Sequence, residues 1–364
     1  MPALRFLTTD YTYADLSTGI SPAIERALEE KKGQSTLLVN LFSQDSFTVG
    51  VLEDPEKSLD LDFCREQGIV VRRRQNPGGT VYGVKGSAMQ CLYVDLAEPW
   101  VPFKTIGEAF PFFLERMAQV TSRLFGIEAK YRPVNDIEVE SRKLVATSAR
   151  LEKGILTLRS VINVTPADRA VMSRAIINRP EKFQDKKYKD GGSRFTCFQD
   201  EVGREVAREE VLALARETMA QVFGPEVSLA PGQMSALERQ YYGQYQARYN
   251  SAEWFYANSE RSRFRDIPAD ARKAEAFFKA PAGLIGVTIL ARRGRIHDLI
   301  LLADFHPSPQ TVLADMEQAL RGQELSLAAI QERVAKVYRR PGVEIPGTSL
   351  EDFAALFSKA LAQL

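Results

Sequence analysis

Residues 72–82 read RRRQNPGGTVY, and they form the most informative stretch of the chain. The run IVVRRRQ at 69–75 predicts a short β-branched strand, and Pro77, Gly78 and Gly79 break the chain after it. Glycine lets a backbone approach a ligand closely, and the exposed N–H groups of such a turn can face an anion. Guanidinium groups bind carboxylate or phosphate oxygens. The stretch therefore predicts an anion-binding turn, although arginine-flanked glycine turns also occur on surfaces without a ligand.

A second segment strengthens the prediction of a binding site. Asn135 and Asp136 precede an apolar strand, Lys143 lies in the next strand, and Arg150 follows seven residues later. This order can place an amide, a carboxylate and an ammonium around one pocket, where Asp136 holds a cation and Lys143 neutralises developing negative charge. The same residues also fit a hairpin with a solvated Lys143. The presence of both segments in this order favours the pocket.

Chain length and net charge limit the classes of protein to which this chain can belong. The chain has 364 residues, and 48 lysines and arginines balance 47 acidic residues. The length favours two domains, and the balance excludes a strongly basic nucleic-acid-coating protein, so we expect no nucleic-acid partner. No apolar run approaches the roughly 20 residues that span a bilayer, and the N-terminus lacks a basic start before an apolar stretch. We expect a cytoplasmic protein without membrane association.

Cysteine and histidine usage limits the chemistry. The three cysteines, Cys64, Cys91 and Cys197, have no CxxC spacing, and an odd count argues against a disulfide framework. The two histidines, His297 and His306, lack partners at ligand spacing, which argues against a His-rich metal site. We expect both histidines to be surface or packing residues.

Hydrophobic periodicity predicts alternating helices and strands. The predicted helices include 11–31, 57–67, 104–125 and 206–223, and the predicted strands include 36–43, 46–51, 88–96, 136–140, 143–148 and 155–163. The strands at 36–43 and 46–51 are predicted to pair as a hairpin across a short polar turn.

Proline and glycine residues that interrupt regular structure within 226–255 predict a domain boundary there, with domains over 1–245 and 250–364. The C-terminal part contains a hairpin with a turn at Arg293-Gly294. Three helices follow it, over 308–321, 326–337 and 349–362.

These segments resemble the biotin/lipoate protein ligase superfamily, and more closely its lipoate–protein ligases. The first motif is matched by Arg73, Arg74, Gly78, Gly79, Val81, Tyr82 and Gly86, and the second by Asn135, Asp136, Lys143 and Arg150. A basic loop stands where the family has a lysine-rich stretch and contains Lys186, Lys187, Lys189 and Arg194. The resemblance covers nearly the whole chain. It implies an α/β (α+β) fold, with a mixed, mainly antiparallel catalytic sheet and a small α+β accessory domain.

The chain departs from the family pattern inside the first motif. Pro77 replaces a glycine and removes one backbone N–H from the turn. Asn76 stands for the usual serine, Gly83 and Val84 stand for a His-Asp pair, and Ser87 stands for an asparagine. Ala146-Thr147 likewise replaces Gly-Ser after Lys143.

The resemblance implies an enzyme that activates lipoate or octanoate with ATP and Mg²⁺ to acyl-AMP. It then transfers the acyl group to a lysine of a lipoyl-carrier domain, of the 2-oxoacid dehydrogenase acyltransferase or glycine-cleavage H protein type. Lys143 is the implied catalytic residue and Asp136 the implied magnesium contact. The implied substrate and adenylate contacts are Arg73, Arg74, Asn76, Gly78, Gly79, Asn135, Asp136 and Arg150.

Three alternatives stay open on the sequence. The first is an ATP-independent lipoyl or octanoyl transferase, in which Cys197 is the nucleophile and nearby lysines lower its pKa, whereas Cys91 is a core residue. No histidine lies near Cys197 to act as a base. The second is biotin ligase, whose Gly-Arg-Gly-Arg signature is absent. The third is a non-catalytic lipoyl-domain-binding assembly protein, favoured by Pro77 and the missing His-Asp pair.

Overall fold

The computed structural model describes residues 3–133, 135–177, 179–183 and 194–364. Its strands are β1 (Ala3–Thr9), β2 (Thr36–Leu41), β3 (Ser46–Val49), β4 (Val70–Arg73), β5 (Val81–Gly83), β6 (Ala88–Asp95), β7 (Lys130–Arg132), β8 (Asp136–Val139), β9 (Arg142–Glu152), β10 (Ile155–Ile162), β11 (Ser228–Pro231), β12 (Arg272–Ala280), β13 (Gly283–Arg292) and β14 (Arg295–Ala303).

Its α-helices are α1 (Tyr13–Asp15), α2 (Ser21–Glu29), α3 (Pro55–Ser58), α4 (Leu61–Glu66), α5 (Ile106–Phe125), α6 (Arg169–Ala175), α7 (Phe198–Val202), α8 (Arg208–Phe223), α9 (Ala236–Tyr249), α10 (Ala252–Phe255), α11 (Glu260–Arg263), α12 (Val312–Leu320), α13 (Leu327–Tyr338) and α14 (Leu350–Leu361). A π-helical segment, Leu16–Ile20, joins α1 to α2, and a 3₁₀ segment covers Pro180–Phe183. None of the described helices is long and apolar enough to cross a membrane.

The chain divides into two compact units, each assembled from three segments. The first unit contains Met1–Phe47, Tyr82–Met172 and Tyr188–Tyr249. The second contains Thr48–Val81, Ser173–Lys187 and Asn250–Leu364. The chain therefore enters the second unit twice before its C-terminal part. The domain ranges 1–245 and 250–364 stay a prediction.

The first unit is built on an eight-stranded sheet with the order β11-β1-β2-β6-β10-β9-β8-β7. β1 runs parallel to β2 and β11, and the remaining neighbours pair antiparallel. This confirms the predicted mixed, mainly antiparallel sheet. Leu158 belongs to the core that α5 and α8 share with the sheet, whereas Arg159, the next residue, pairs with Glu25 on α2. Because successive side chains of a strand alternate, α2 and the α5–α8 pair cover opposite faces.

The long helix predicted over 104–125 is confirmed as α5. Its N-terminus is capped by Thr105, whose hydroxyl accepts a hydrogen bond from the N–H of Glu108 at 3.2 Å. It ends at Gly126, whose φ of 68° lies in the left-handed region that glycine adopts without strain. The cap and the terminal glycine therefore fix both ends of the helix.

The predicted hairpin of the strands at 36–43 and 46–51 is wrong, although both strands exist. β2 lies between β1 and β6, whereas β3 belongs to a short sheet of order β4-β3-β5. The backbone of Phe42 stays with the start of β6, since its N–H donates to Ser87 O at 2.8 Å and its carbonyl accepts from Gly86 at 2.9 Å. The intervening residues lack the Asn-Gly or Asp-Gly pair that forces a tight hairpin, so distant strands decide the pairing.

The second unit contains the antiparallel sheet β12-β13-β14 and the helices α12, α13 and α14. The hairpin at Arg293-Gly294 is confirmed, and both residues have positive φ, 50° and 72°. The three helices predicted after it are confirmed as well, and they form a common apolar core with the sheet. Leu52 belongs to that core, and its carbonyl accepts the N–H of Ala303 at 3.0 Å.

Candidate functional site

An ion pair between Lys143 and Asp136 lies at the centre of the candidate site in the first unit. The Lys143 Nζ is 2.7 Å from Asp136 Oδ2, and the side chains are 25% and 13% exposed. The other carboxylate oxygen of Asp136, Oδ1, is buried and has no hydrogen-bond partner among the described residues. The structure thus brings together two of the predicted site residues and leaves the ammonium partly open to solvent.

A bulge in β9 places Lys143 on the same face of the sheet as Asp136. Ile137 lies opposite Val145, but Glu138 lies opposite Lys143, so Leu144 is the extra residue. Leu144 and Val145 are both buried in the core on the α5–α8 side. A regular strand could not bury two consecutive residues on one face. The bulge therefore turns Lys143 toward the face opposite that core.

Arg150 lies on this face too, but at the far end of β9. It lies seven positions after Lys143, which corresponds to roughly 20 Å along a strand. Its guanidinium pairs with Glu29 at 2.7 Å and Glu25 at 3.5 Å, both on α2, and with Glu152 at 3.6 Å. The structure does not bring Arg150 to Lys143, and a contact of Arg150 with an adenylate stays a prediction.

The short segment Phe195-Thr196 runs along the start of β9. The N–H of Thr196 donates to Lys143 O at 3.0 Å, and the Phe195 ring centroid is 5.9 Å from Lys143 Nζ. This ring is 45% exposed, which is unusual for a phenylalanine. Lys143 therefore lies between a carboxylate and an exposed apolar surface. The sequence analysis includes the neighbouring Arg194 in the basic loop but assigns Phe195 no role.

Asn135 joins the start of β8 to β9 through two hydrogen bonds. Its side-chain amide donates to the carbonyl of Thr147, and its own carbonyl accepts the N–H of Thr147 at 3.0 Å. These bonds hold Asp136 in place beside Lys143. A direct ligand contact by Asn135 stays a prediction.

Three residues of the basic loop, Lys186, Lys187 and Lys189, lie outside the described residues. Arg194 is described and half-buried.

In the second unit, the guanidinium of Arg74 holds the Pro-Gly-Gly turn together through hydrogen bonds to its backbone carbonyls. Nη2 donates to the carbonyls of Pro77 at 3.1 Å and Gly79 at 2.8 Å. Nη1 donates to Thr48 O at 3.2 Å and to Thr48 Oγ1 at 3.1 Å. Gly78 has a φ of 101°, and a Cβ on it would lie 3.0 Å from Arg74 Nη2. Arg74 thus shapes the turn with the nitrogens that were predicted to reach a ligand.

Arg73 is also held by its own unit and is only 2% exposed. Nη1 donates to Trp254 O at 2.9 Å, Nη2 donates to Val51 O, and the guanidinium lies 5.0 Å from the centroid of the Trp254 ring. The Trp254 indole N–H returns a bond to Arg73 O at 2.6 Å. Burial lowers the pKa of Arg73 to about 10, and the nearby Asp54 opposes this shift. Sequence reasoning gave no role to Trp254, one of two tryptophans in the chain.

The backbone of the turn keeps donors that can face a ligand. Among the hydrogen bonds of the described residues, none is donated by the N–H of Gly78 or Gly79. Asn76 contributes its carbonyl, which accepts the N–H of Val51 at 3.1 Å. The arrangement can bind an anion through backbone N–H groups. Phosphate contacts by Arg73, Arg74 and the side chain of Asn76 stay predictions.

The cysteines of the described chain do not have the properties of nucleophiles. Cys197 is 3% exposed, and burial raises its pKa to about 11. The expectation of a lowered pKa is wrong, because desolvation dominates; the backbone N–H of Asp200 opposes the rise and the Asp200 carboxylate adds to it. The lysines named for this effect lie outside the described residues. Cys91 is fully buried, as expected for a core residue, and burial raises its pKa to about 11.

The described residues contain no group of three or more His, Cys, Asp or Glu that could hold a metal ion. Magnesium is commonly held by one or two carboxylates together with substrate phosphates and water. The unpartnered Oδ1 of Asp136 fits such a site as its one protein ligand.

Comparison with known proteins identifies the class. The model of the lipoyl protein ligase A/B catalytic domain matches residues 22–220, which is more than half of the chain. The chain belongs to this family. A relative is the lipoate-protein ligase LplJ of Bacillus subtilis (strain 168), which is 22% identical over 321 residues, covering 85% of this chain and 89% of the relative.

Solved structures show the same fold. P. falciparum LipL1 in complex with lipoate has 12% identity and a TM-score of 0.68, and the match covers 97% of this chain and 98% of that one. Lipoate-protein ligase A bound with ATP has 18% identity and a TM-score of 0.57, covering 70% and 98%. A bipartite lipoate protein ligase with its E2 lipoyl domain from Thermoplasma acidophilum has 19% identity and a TM-score of 0.56, covering 70% and 96%. The predictions of fold class and of a lipoate–protein ligase-like enzyme are confirmed.

Proposed function

We propose that the protein activates lipoate or octanoate with ATP and transfers the acyl group to a lysine of a lipoyl-carrier domain. The observation that carries the proposal is the Lys143–Asp136 pair at 2.7 Å, with the ammonium partly exposed beside Phe195, inside the matched family range. The ATP-bound ligase and the ligase with its E2 lipoyl domain, both similar in fold, support the nucleotide and the partner. The proposed carrier is of the 2-oxoacid dehydrogenase acyltransferase or glycine-cleavage H protein type, in the cytoplasm.

In the first step, a carboxylate oxygen of the fatty acid attacks the α-phosphorus of ATP, and pyrophosphate leaves. Negative charge is shared by the carboxylate and the phosphate as the new bond forms, and the Lys143 ammonium lies where it can stabilise that charge. Asp136 restrains the side chain of Lys143, so little reorganisation is needed during the reaction. The exposed ring of Phe195 offers apolar surface to the carbon chain of the substrate.

In the second step, the neutral amine of the carrier lysine attacks the acyl carbonyl of the adenylate, and AMP leaves. The bond between the carbonyl carbon and the phosphate oxygen breaks as the bond to nitrogen forms, and the nitrogen gives up one proton to water. No covalent enzyme intermediate forms. The burial of Cys197 and its raised pKa support this direct transfer over a thioester route.

The remaining groups have supporting roles in the proposal. The N–H groups of Gly78 and Gly79 bind phosphate oxygens, and Arg74 shapes the turn that presents them. Asp136 would hold Mg²⁺, which neutralises phosphate charge when it is bound. Residues 1–245 would supply the catalytic domain and residues 250–364 the accessory domain.

Arg150 is kept as a proposed adenylate contact, although its ion pairs with α2 also give it a packing role. A non-catalytic assembly protein, the remaining alternative, predicts binding of a lipoyl domain without any release of pyrophosphate.

The experiment is a measurement of pyrophosphate release from ATP with and without lipoate. We expect lipoate-dependent release by the wild type, and a loss of roughly 100-fold or more in Lys143→Ala, since one transition-state contact is removed. Lys130→Ala is the control, because Lys130 lies on β7 of the same sheet and its side chain is 72% exposed. Release that does not depend on lipoate, or that persists in Lys143→Ala, would overturn the proposal.

A further inference from the structure

His306 lies directly against the glycine turn of the second unit. A Cβ on Gly78 would be 3.0 Å from His306 Cε1 and 3.3 Å from Nε2, so the imidazole lies in close contact with the turn. The sequence analysis predicts only a surface or packing role for this histidine, and its proximity to the turn is visible only in the folded chain.

Neighbouring residues hold the segment around His306 in place. Phe305, the preceding residue, is 4% exposed and belongs to the core of the second unit. Two residues later, Ser308 exchanges backbone hydrogen bonds with Glu344 at 2.8 and 2.7 Å. His306 itself is exposed. The imidazole is therefore presented beside the turn by a fixed backbone.

The ring nitrogens of His306 are available for a ligand. Among the described residues, no hydrogen bond involves Nδ1 or Nε2 of His306. In contrast, Nη1 and Nη2 of Arg74 already donate to Thr48, Pro77 and Gly79. The donors left at this turn include the imidazole and the N–H groups of Gly78 and Gly79. Such a set of donors around one glycine is suited to phosphate oxygens.

We propose that His306 is a nucleotide-binding residue, which donates a ring N–H to a phosphate group of ATP at the Gly78 turn. This inference rests on the proposed function and adds a side chain from the C-terminal part of the chain to the Gly78 turn, which belongs to the same unit. It also supplies a donor to a turn in which Pro77 has no N–H.

The charged groups that act on the ring give the inference a pH-dependent signature. Partial desolvation and the Arg74 guanidinium lower the pKa of His306 below its ordinary value, and Asp304 opposes them. At neutral pH the ring is neutral and donates one N–H. As the pH falls through this pKa the ring gains a positive charge, and the affinity for phosphate rises.

Equilibrium titration with ATP, in the absence of lipoate, tests the inference on the full chain. We expect His306→Ala to weaken ATP binding by about tenfold, the effect of losing one hydrogen bond to a charged group. His306→Gln retains an N–H donor and should recover most of the affinity, but it should lose the strengthening at acidic pH. His297→Ala is the matched control, since the other histidine is also exposed and lies on β14.

The outcomes separate this inference from the function on which it rests. Unchanged ATP affinity in His306→Ala, in a protein whose wild type releases pyrophosphate, would overturn the role of His306 alone. An equal loss in the alanine and glutamine variants, with the acidic strengthening still present, would show a structural role and also overturn it. A wild type without lipoate-dependent pyrophosphate release would overturn both proposals.

Discussion

Replacing Arg74 by alanine distinguishes a residue that shapes the turn from one that contacts the ligand. Arg74 is 8% exposed and donates four hydrogen bonds, to two acceptors on Thr48 and to the carbonyls of Pro77 and Gly79. At about 1 kcal/mol of net stability for each bond, Arg74→Ala should lower the unfolding free energy of the second unit by about 4 kcal/mol. Arg74→Lys keeps the charge but cannot reach acceptors on both sides, so it should recover less than half of this.

The assay is urea unfolding followed by tryptophan fluorescence. The chain has two tryptophans, Trp100 in the first unit and Trp254 in the second. In a Trp100→Phe background the signal reports on the second unit alone. Arg65→Ala is the control, because Arg65 lies in the same segment of the chain and its pair with Asp62 is highly exposed. We expect this control to change the stability by less than about 0.5 kcal/mol.

A stability loss in Arg74→Ala near that of the Arg65 control would refute the reasoning. If ATP binding disappeared at the same time, Arg74 would be a ligand contact, as the sequence motif alone suggests, and the hydrogen bonds to the turn would not describe its main role.

Three further predictions follow from buried contacts. Arg5 donates to Glu238 at 2.8 and 2.5 Å with both side chains buried, so Glu238→Gln should leave a buried charge unpaired and cost about 3–5 kcal/mol, measured as a lower calorimetric midpoint. A Cβ on Gly83 would lie 2.3 Å from the Cβ of Tyr13, so Gly83→Ala should lower the thermal midpoint and give less folded protein on gel filtration. Cys197→Ser should retain ATP-dependent acyl transfer, and wild-type Cys197 should react slowly with iodoacetamide at pH 7, because burial raises its pKa to about 11.

The hydrophobic pattern was sufficient to predict individual elements but not their pairing. The helices over 104–125 and in the C-terminal part were predicted because capping residues and periodic apolar positions act locally. The partners of β2 and β3 were predicted wrongly, because β2 is buried on both faces and pairs with strands that are distant in the sequence. The residues of the turn between two strands do not determine which distant strands each of them pairs with.

In the candidate site, too, the residue types are predictable from the sequence, but their arrangement depends on contacts between distant parts of the chain. The residue types and their order predict that Asp136 and Lys143 lie together. Their pairing nevertheless depends on the bulge at Leu144, which no local sequence pattern predicts. Strict alternation would place residues seven apart on opposite faces, and only the register shows that Lys143 and Arg150 share one. Whether arginines such as Arg73 and Arg74 face a ligand or the backbone depends on carbonyl groups that only the folded chain assembles.

The central claim is tested most directly by the intact mass of a lipoyl domain after incubation with the enzyme, ATP and lipoate. We predict that the domain gains one lipoyl group with the wild type, and that the gain disappears when ATP is omitted or when the enzyme carries Lys143→Ala. A gain without ATP, an undiminished gain with Lys143→Ala, or no gain with any lipoyl domain of the proposed carriers would contradict the account.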